Sequence, residues 1–295
     1  MRTVFLGTSD FAVAVLEALA GGAHRPALVV TRPDRPRGRG RRLSPPPVAR
    51  AARALGIELI QPERVNEEEG RRAIAACEPG AVVVCAYGAL IREPLLSEHE
   101  MLNVHPSLLP RWRGAAPVER AIMAGDERTG VSIMRLTAGL DSGPVCLAAG
   151  EEIGAHDTYG TLSQRLQAAG GELLVQALDD SPPCIEQDPM LVTYAEKIGA
   201  EDRLLDPMLG AVELERVVRA LHPHIGARLA LNGRLLGVRE ARALEDARGV
   251  AAGALGREGE RLLYGTARGA LELLVVQPPG GRPMDAGAYM RGHAL

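Results

Sequence analysis

The run Ala81–Cys85 is apolar at every position and constrains the fold more than any other stretch of the chain. A strand without polar alternation must be buried on both faces, which is the environment of a central strand in a parallel sheet. The opening of the chain agrees with this, because Thr3–Leu6 and Pro26–Thr31 have strand character and Phe11–Leu19 between them has helical character. The β-α-β pattern predicts an α/β domain with a Rossmann-like, mostly parallel sheet.

The first strand-to-helix turn, Gly7-Thr8-Ser9-Asp10-Phe11, limits what such a sheet could bind. It lacks the second and third glycines of a dinucleotide fingerprint, and the carboxylate of Asp10 would repel a diphosphate. We therefore expect no nicotinamide dinucleotide at this turn. Either Ser9 or Asp10 is suited to cap the helix that follows.

The pattern of predicted helices and strands changes after Ser181-Pro182-Pro183, which indicates a domain boundary. Residues 1–184 carry the α/β pattern, and residues 185–204 have the mixed polarity of a linker. Residues 205–295 contain one helix and then short β-like runs separated by glycines, which predicts a small antiparallel, OB-like β-barrel. The length of 295 residues is sufficient for two domains of this kind.

The bulk properties exclude several classes of protein. With a formal charge of −3 the chain has no global nucleic-acid signature, so a basic binding surface has to be local. No apolar stretch reaches membrane length, and no charged segment followed by a long apolar run marks a secretory signal. The four cysteines show neither CxxC pairing nor zinc spacing, and we expect them to be buried, reduced thiols. These features predict a cytoplasmic protein that does not bind membranes.

The segment from Arg32 to Arg42 contains six arginines and a single acid, Asp34. Its prolines and glycines are expected to interrupt regular structure, and a loop of this length in an α/β domain is commonly functional. The charge suits phosphate groups, although no aromatic residue is interleaved to stack on bases. From the residues alone, a phosphate-binding loop and a solvated, mobile loop are both open.

The stretch Asn103–Gly114 contains the strongest candidates for chemistry. Asn103, His105 and Ser107 stand at alternate positions at the end of a predicted strand, so they project to one side of it. Asp141 follows in a glycine-rich loop. An amide, an imidazole and a carboxylate can serve as oxyanion donor, proton carrier and orienting group. Buried histidines are also commonly satisfied core groups, and spacing alone leaves both interpretations open.

Two rival kinds of site find less support. A Ser-His-Asp hydrolase would use Ser107 or Ser142, but no GxSxG elbow is present and Ser107 is only two residues from His105. A metal site would need a second histidine at ligand spacing near His105, and the sequence contains none. We therefore expect no metal.

The motifs around this stretch resemble those of the formyltransferases that use 10-formyltetrahydrofolate. The similarity covers nearly the whole chain and includes NVHPSLLP at 103–110, RGAAP at 113–117 and GLDSG at 139–143. Within that family, the basic loop, the TYAEK segment at 193–197 and the C-terminal segments most resemble the members whose acceptor is methionyl-tRNA.

The resemblance implies an activity and a set of site residues. The formyl group of 10-formyltetrahydrofolate would pass to the α-amine of initiator methionyl-tRNA. Asn103 would donate to the developing oxyanion, His105 would stabilise it or move protons, and Asp141 would hold His105. Other residues would bind the two substrates. The implied folate contacts are Ser107, Leu108, Leu109, Pro110, Tyr87, Gly88 and Gly139, and the implied tRNA contacts are Arg35, Arg37, Arg39, Arg41 and Arg42.

Other functions remain open from the sequence. The acceptor could be a sugar nucleotide or glycinamide ribonucleotide, the enzyme could hydrolyse the folate, or a noncatalytic RNA-binding protein could use the α/β domain as a scaffold. The basic loop and the C-terminal domain favour tRNA as the acceptor. We expect the protein to be a monomer.

Overall fold

A computed structural model describes residues 1–37, 40, 42–231, 233–246 and 249–293 of the chain. These residues form two compact units, and each unit draws on more than one stretch of sequence. Unit 1 comprises Met1–Gly114, Thr129–Glu152 and Ser163–Tyr194. Unit 2 comprises Ala115–Arg128, Ile153–Leu162 and Ala195–Leu295.

The first part of the chain alternates strands and helices, as its opening predicts. Its elements are β1 (Thr3–Gly7), α1 (Asp10–Ala20), β2 (Pro26–Val30), β3 (Arg35–Arg37), β4 (Arg42–Ser44), α2 (Pro47–Ala54), β5 (Glu58–Ile60), α3 (Glu68–Ala76), β6 (Ala81–Cys85), α4 (Leu95–Glu98), β7 (Met101–His105) and β8 (Arg113–Gly114).

The second part begins with helix and strand and continues into a run of strands. Its elements are α5 (Pro117–Ala124), β9 (Arg128–Arg135), β10 (Val145–Glu152), α6 (Tyr159–Asp180), β11 (Tyr194–Ala195), α7 (Ala211–Leu221), β12 (Ala227–Leu231), β13 (Arg234–Leu244), β14 (Leu255–Glu258), β15 (Arg261–Gly265), β16 (Ala270–Gln277), β17 (Met284–Asp285) and α8 (Ala286–Gly292).

Unit 1 is built on a seven-stranded sheet with the order β10-β9-β7-β6-β1-β2-β5. The pairings from β7 through β6, β1 and β2 to β5 are parallel, and β9 runs antiparallel to β7. Every residue of β6 is buried, as a continuous apolar run requires. The predicted Rossmann-like, mostly parallel sheet is therefore confirmed.

The turn between β1 and α1 is short because its residues allow close packing. The Oγ of Ser9 accepts a hydrogen bond of 3.4 Å from the backbone N–H of Ala12, which caps α1. A Cβ at Gly7 would lie 2.9 Å from the Cβ of Ala12, so only glycine permits this approach of strand and helix. The turn therefore serves the packing of α1 on the sheet.

Unit 2 contains an antiparallel sheet with the order β12-β13-β16-β15-β14, and β17 pairs with β16. The buried face of this sheet packs with α7, whose Leu214, Val218 and Leu221 belong to the same apolar core. The predicted antiparallel C-terminal sheet is confirmed, whereas the pairings among the described residues run from β12 to β14 without closing into a barrel. In the part of the chain that the structure describes, no helix combines the length and apolar character needed to span a bilayer.

The expectation that all four cysteines are reduced is wrong for two of them. Cys146 in β10 and Cys184, just beyond α6, form a disulfide across 38 residues of sequence. The neighbouring residues Val145 and Ile185 exchange two backbone hydrogen bonds of 2.8 Å, and this antiparallel bridge brings the sulfurs side by side. Cys77 and Cys85 are free.

Candidate active site

The candidate catalytic residues lie at the C-terminal end of β7, beside the central strand β6. Asn103 pairs with Val84 of β6 and with Met134 of β9, and His105 pairs with Ser132 of β9. Both residues are buried, with 8% and 4% of their surface exposed. In open parallel sheets this end of the strands is where binding sites form. The alternation of the sequence thus places an amide and an imidazole together at such an end.

The imidazole of His105 is held by one hydrogen bond. Its Nε2 donates to the carbonyl oxygen of Trp112 over 2.9 Å, because a carbonyl can only accept. Trp112 has a φ of +64°, a left-handed conformation that turns its carbonyl toward the ring. In the neutral ring the other nitrogen, Nδ1, therefore carries a lone pair and can take up a proton.

The carboxylate of Asp141 connects the members of the cluster. One oxygen, Oδ1, accepts a hydrogen bond of 3.4 Å from Nδ2 of Asn103, and Oδ2 accepts one of 2.8 Å from the backbone N–H of Gly114. Oδ2 also lies 3.7 Å from Nδ1 of His105, so it faces the nitrogen at which positive charge would form. Among the described residues, no group of three or more His, Cys, Asp or Glu side chains is placed to hold a metal ion.

The structure therefore brings together Asn103, His105 and Asp141, which are the three residues selected from the sequence. The Nδ2 of Asn103 carries a second N–H for which the described residues supply no acceptor. The cluster thus offers one unused donor and one proton acceptor side by side. A carbonyl carbon attacked by an amine needs such a pair, because the attack creates a negative oxygen and releases a proton.

Gln187 is a site residue that the sequence did not reveal. Its Nε2 donates to the carbonyl oxygens of Asp141 and Gly143 over 2.9 and 2.7 Å, and its Oε1 accepts from Nε and Nη2 of Arg113 over 3.0 and 2.8 Å. Asp141 has a φ of +43°, which L-residues rarely adopt, so its loop needs such external support. The acceptors are backbone carbonyls, which leave no side-chain pattern that could have predicted this contact.

The Ser107–Pro110 bend is internally bonded rather than open. The Oγ of Ser107 donates to the carbonyl of Arg111 over 2.6 Å, and the carbonyl of Ser107 accepts from Ser132 over 2.7 Å. Ser107 is buried, whereas Leu108, Leu109 and Pro110 are half-buried. The bend therefore presents an apolar surface next to β7, and the hydroxyl of Ser107 is engaged in holding it.

The other folate-contact candidates lie in two loops of unit 1. The ring of Tyr87 is buried in the apolar core, and burial raises the pKa of its phenol. Only its backbone is therefore suited to a ligand contact, although its carbonyl already accepts from Thr8 Oγ1 over 2.7 Å. Gly88 follows with a φ of +78°. Gly139 is exposed, and a Cβ there would overlap the hydroxyl of Ser142.

The basic segment is more regular than the sequence indicated. Strands β3 and β4 pair as an antiparallel hairpin in which Arg35 lies opposite Ser44. The side chain of Arg35 is exposed and pairs with Glu63 over 3.0 Å, and Arg42 is exposed as well. Of Arg37 only the backbone is described, and Arg39 and Arg41 lie outside the described residues. The expectation of no regular structure is thus wrong for the two arms of the loop.

Comparison with known proteins shows the family to which the chain belongs. The model of the family "Formyl transferase" matches residues 1–178, and that of "Formyl transferase, C-terminal domain" matches residues 197–294. A methionyl-tRNA formyltransferase of Halorhodospira halophila is 45% identical over 304 residues, which cover 100% of this chain and 97% of the relative. One of Methylococcus capsulatus is 42% identical over 301 residues, covering 100% and 98%.

Solved structures with a similar fold include several formyltransferases. HypX from Aquifex aeolicus, in complex with tetrahydrofolic acid, has a TM-score of 0.68 at 16% identity and covers 98% of this chain and 47% of its own. Methionyl-tRNA formyltransferase from Clostridium thermocellum has a TM-score of 0.62 at 13% identity, covering 83% and 95%. At these identities the likeness concerns the fold alone.

Proposed function

The chain belongs to the formyl transferase family, and we propose that it transfers the formyl group of 10-formyltetrahydrofolate to the α-amine of initiator methionyl-tRNA. The observation that carries this proposal is the buried cluster of Asn103, His105 and Asp141 at the end of β7. The choice of acceptor is supported by relatives named methionyl-tRNA formyltransferase at 45% and 42% identity over the whole chain.

Asn103 stabilises the negative charge in this mechanism. When the amine attacks the formyl carbon, the carbonyl oxygen becomes an oxyanion that needs a fixed donor. The second N–H of the Asn103 amide is available for it, while the first is bonded to Asp141 at 3.4 Å and fixes the orientation of the amide. The donor is therefore in place before the reaction begins, so little reorganisation is needed.

His105 accepts the proton that the attacking amine releases. Its Nδ1 is the free nitrogen of the neutral ring, because Nε2 donates to Trp112. Asp141 faces Nδ1 over 3.7 Å and stabilises the cation that results, while its bond to Gly114 keeps the carboxylate in position. Transfer of that proton to the departing folate nitrogen completes the reaction.

The surroundings of the cluster fit a folate as formyl donor. The half-buried Leu108, Leu109 and Pro110 supply an apolar surface for its ring systems, and Ser107 holds their bend. Gly139 and the backbone of Tyr87-Gly88 would complete the cleft from neighbouring loops. When bound, the folate supplies the activated formyl group. The protein orients that group, stabilises the oxyanion and transfers the proton.

We further propose that the arginine hairpin holds the tRNA through Arg35, Arg37, Arg39, Arg41 and Arg42. Exposed guanidinium groups suit phosphates, and the described part of the hairpin shields Arg35 only by an exposed ion pair. These exposed charges support a role for the hairpin in binding.

We propose that three segments of the chain have different roles. Residues 1–184 would perform the chemistry, 185–204 would link, and 205–295 would form a β-barrel that binds tRNA. The two family models leave residues 179–196 between them, which supports a linker there. Two register shifts beside Glu240 bend the long strand β13, which supports a curled, barrel-like sheet. We also propose a cytoplasmic monomer.

The test offers 10-formyltetrahydrofolate with four acceptors: methionyl-tRNA, uncharged tRNA, free methionine and an amino-sugar nucleotide. We expect formylation of methionyl-tRNA alone. Formylation of the sugar nucleotide instead would refute the proposed acceptor. Release of formate at the same rate without any acceptor would indicate a folate hydrolase.

A further inference from the structure

Two arginines of unit 2 contact one turn, a third lies in the strand that follows it, and the described residues give none of the three an acidic partner. Arg203 donates from Nη2 to the carbonyl of Ile225 over 3.0 Å and from Nε to that of Gly226 over 3.3 Å. A Cβ at Gly226 would lie 2.5 Å from Nη1 of Arg239, so this second guanidinium rests against the same turn. We name Arg203, Arg228 and Arg239 the arginine cluster.

The pairing of the strands puts Arg228 and Arg239 on the face opposite the core. Arg228 in β12 lies across from Gly237 in β13, and Gly237 lies across from Gln277 in β16. The adjacent row contains Ala227, Val238 and Val276, which are all buried in the core, so the row of Arg228 points outward. Arg239 follows Val238 and also points outward, where it donates to Oε1 of Gln277 over 2.6 and 3.1 Å.

Charge is uncompensated at this point of the unit. Burial lowers the pKa of the Arg203 guanidinium, and the nearby charges of Arg228 and Arg239 lower it further. Within the described residues, none of the three guanidiniums has a carboxylate within salt-bridge distance. Several other arginines of unit 2 do have such partners, as in the pairs Arg120–Asp202, Arg219–Glu215, Arg242–Glu272 and Arg268–Glu213.

Three half-buried cations held together without an acid are unfavourable unless an anion joins them. Guanidinium groups bind phosphate oxygens through paired N–H donors, and adjacent groups can bind successive phosphates of one strand. Gly237, which lies across from Arg228, carries no side chain, and its near neighbour on the other side is Gln277, the partner of Arg239. The arrangement therefore suits a chain of phosphates that passes along the sheet face opposite the core.

We propose that the arginine cluster is a binding site for the phosphodiester backbone of a nucleic acid. Under the proposed function that nucleic acid is the acceptor tRNA, so its identity rests on that proposal, whereas the site itself rests on the geometry of the cluster. The cluster acts in binding and contributes nothing to the chemistry at His105.

The test measures the affinity of the full chain for tRNA between about 50 and 200 mM salt, the range over which phosphate contacts weaken strongly. Arg228→Gln and Arg239→Gln should each reduce the slope of log Kd against log salt by about 1. Arg268→Gln is the matched control, because it removes the same charge from an arginine of unit 2 that Glu213 already neutralises. It should leave the slope unchanged. Arg239→Lys keeps the charge and should restore most of the slope.

Two further arms separate the possible outcomes. Unchanged slopes in Arg228→Gln and Arg239→Gln, with normal circular dichroism, would overturn the proposal even if the enzyme formylates methionyl-tRNA. The two variants could instead lose binding of inorganic phosphate while their salt slope for tRNA stays at the wild-type value. That result would also overturn the proposal, since the cluster would then be a small-anion site. The wild type could also fail to formylate any acceptor while both variants show a reduced salt slope for tRNA. In that case the cluster is a nucleic-acid site and the proposed function is wrong.

Discussion

The catalytic cluster of unit 1 and the arginine cluster of unit 2 handle charge in opposite ways. Around Asp141 each carboxylate oxygen accepts a hydrogen bond, and both Asn103 and His105 are almost fully buried. Around Arg203 the charges are alike, half-exposed and without a carboxylate among the described residues. A buried, hydrogen-bonded cluster holds reacting groups in fixed positions. Partly exposed positive charges without acidic partners suit a large anion that binds and dissociates.

This difference makes the two regions separable by experiment. A change in the catalytic cluster should alter the rate of the reaction once tRNA is bound, because the cluster has little exposed surface with which to bind it. A change in the arginines should alter binding and its salt dependence. Variants of the catalytic residues and variants of the arginines should therefore each change only one of these two quantities.

The largest effect is expected from removing a catalytic side chain. His105→Ala should lower kcat about 100- to 10,000-fold through the loss of the proton acceptor. Asn103→Ala should lower it about 100- to 1000-fold through the loss of the oxyanion donor. Steady-state kinetics with saturating folate and tRNA measures both. His156→Ala, a change at an exposed histidine, serves as the control and should be neutral. A loss of tRNA affinity equal to the loss of rate would refute the catalytic assignment.

A smaller effect is expected from Gln187, which holds the loop of Asp141. Gln187→Glu keeps the acceptor for Arg113 but replaces the donor that holds the carbonyls of Asp141 and Gly143. The resulting displacement of the carboxylate should lower kcat about 10- to 100-fold. The KM for tRNA should stay the same.

Gln187→Leu separates positioning from simple stability. It removes both the donor and the acceptor, so it should lower kcat at least as much as Gln187→Glu does. Thermal unfolding of both variants should be compared with the wild type. If kcat falls only in proportion to the folded fraction, Gln187 is structural and has no role in positioning Asp141.

The sequence was most informative where burial decides the structure. Ala81–Cys85 is a strand with the predicted bounds, since five consecutive buried apolar residues fit little else. Asn103, His105 and Asp141 were candidates because they are polar groups at a strand end and in a glycine-rich loop, but their roles came from the resemblance to the formyltransferases, since spacing alone also fits satisfied core groups. Sequence reasoning did not predict the hairpin of β3 and β4, because its prolines and charged residues are not typical of paired strands.

Contacts between distant residues were beyond sequence reasoning for a physical reason. The disulfide of Cys146 and Cys184 depends on a backbone bridge that only the fold creates. The same applies to Gln187, which acts on backbone carbonyls, and to the arginine cluster, whose members come from three separate elements. In each case the fold brings the partners together from distant parts of the chain, and spacing along the sequence does not indicate the contact.

The hairpin of unit 1 should behave like the arginine cluster and unlike the catalytic residues. Arg42→Gln removes an exposed charge from β4 and should reduce the salt slope of tRNA binding by about 1, with kcat at saturation unchanged. Filter binding over a salt series measures the slope. Arg72→Gln is the control, because Arg72 is exposed and lies 3.8 Å from Glu68 in the same helix. An unchanged slope for Arg42→Gln would remove the hairpin from the tRNA surface.

The smallest effect is expected from a paired charge of unit 2. Hydrogen bonds from Arg120, over 2.7 and 3.1 Å, and one from the Gly199 backbone lower the pKa of the Asp202 carboxyl. Because the folded-state pKa is depressed, the carboxylate stabilises the fold above the unfolded value, and this contribution is lost as the pH falls through the folded-state pKa.

Asp202→Asn should therefore lower the free energy of unfolding by about 1 kcal/mol at neutral pH, since charged hydrogen bonds are lost. The difference from wild type should shrink below about pH 3.9, where the unfolded carboxyl is protonated. Urea unfolding at several pH values measures it, with the exposed Glu201→Gln as the control. The tRNA salt slope should not change. A constant difference at all pH values would contradict the role of the ion pair.

The most direct test of the separation between chemistry and binding is a single-turnover experiment with increasing concentrations of methionyl-tRNA. The rate of formyl transfer is measured for wild type, His105→Ala and the double variant of Arg228→Gln with Arg239→Gln. We predict that the arginine variant reaches the wild-type rate once tRNA is saturating, and that His105→Ala stays slow at every concentration. Recovery of His105→Ala at high tRNA, or an arginine variant that remains slow when saturated, would contradict the account.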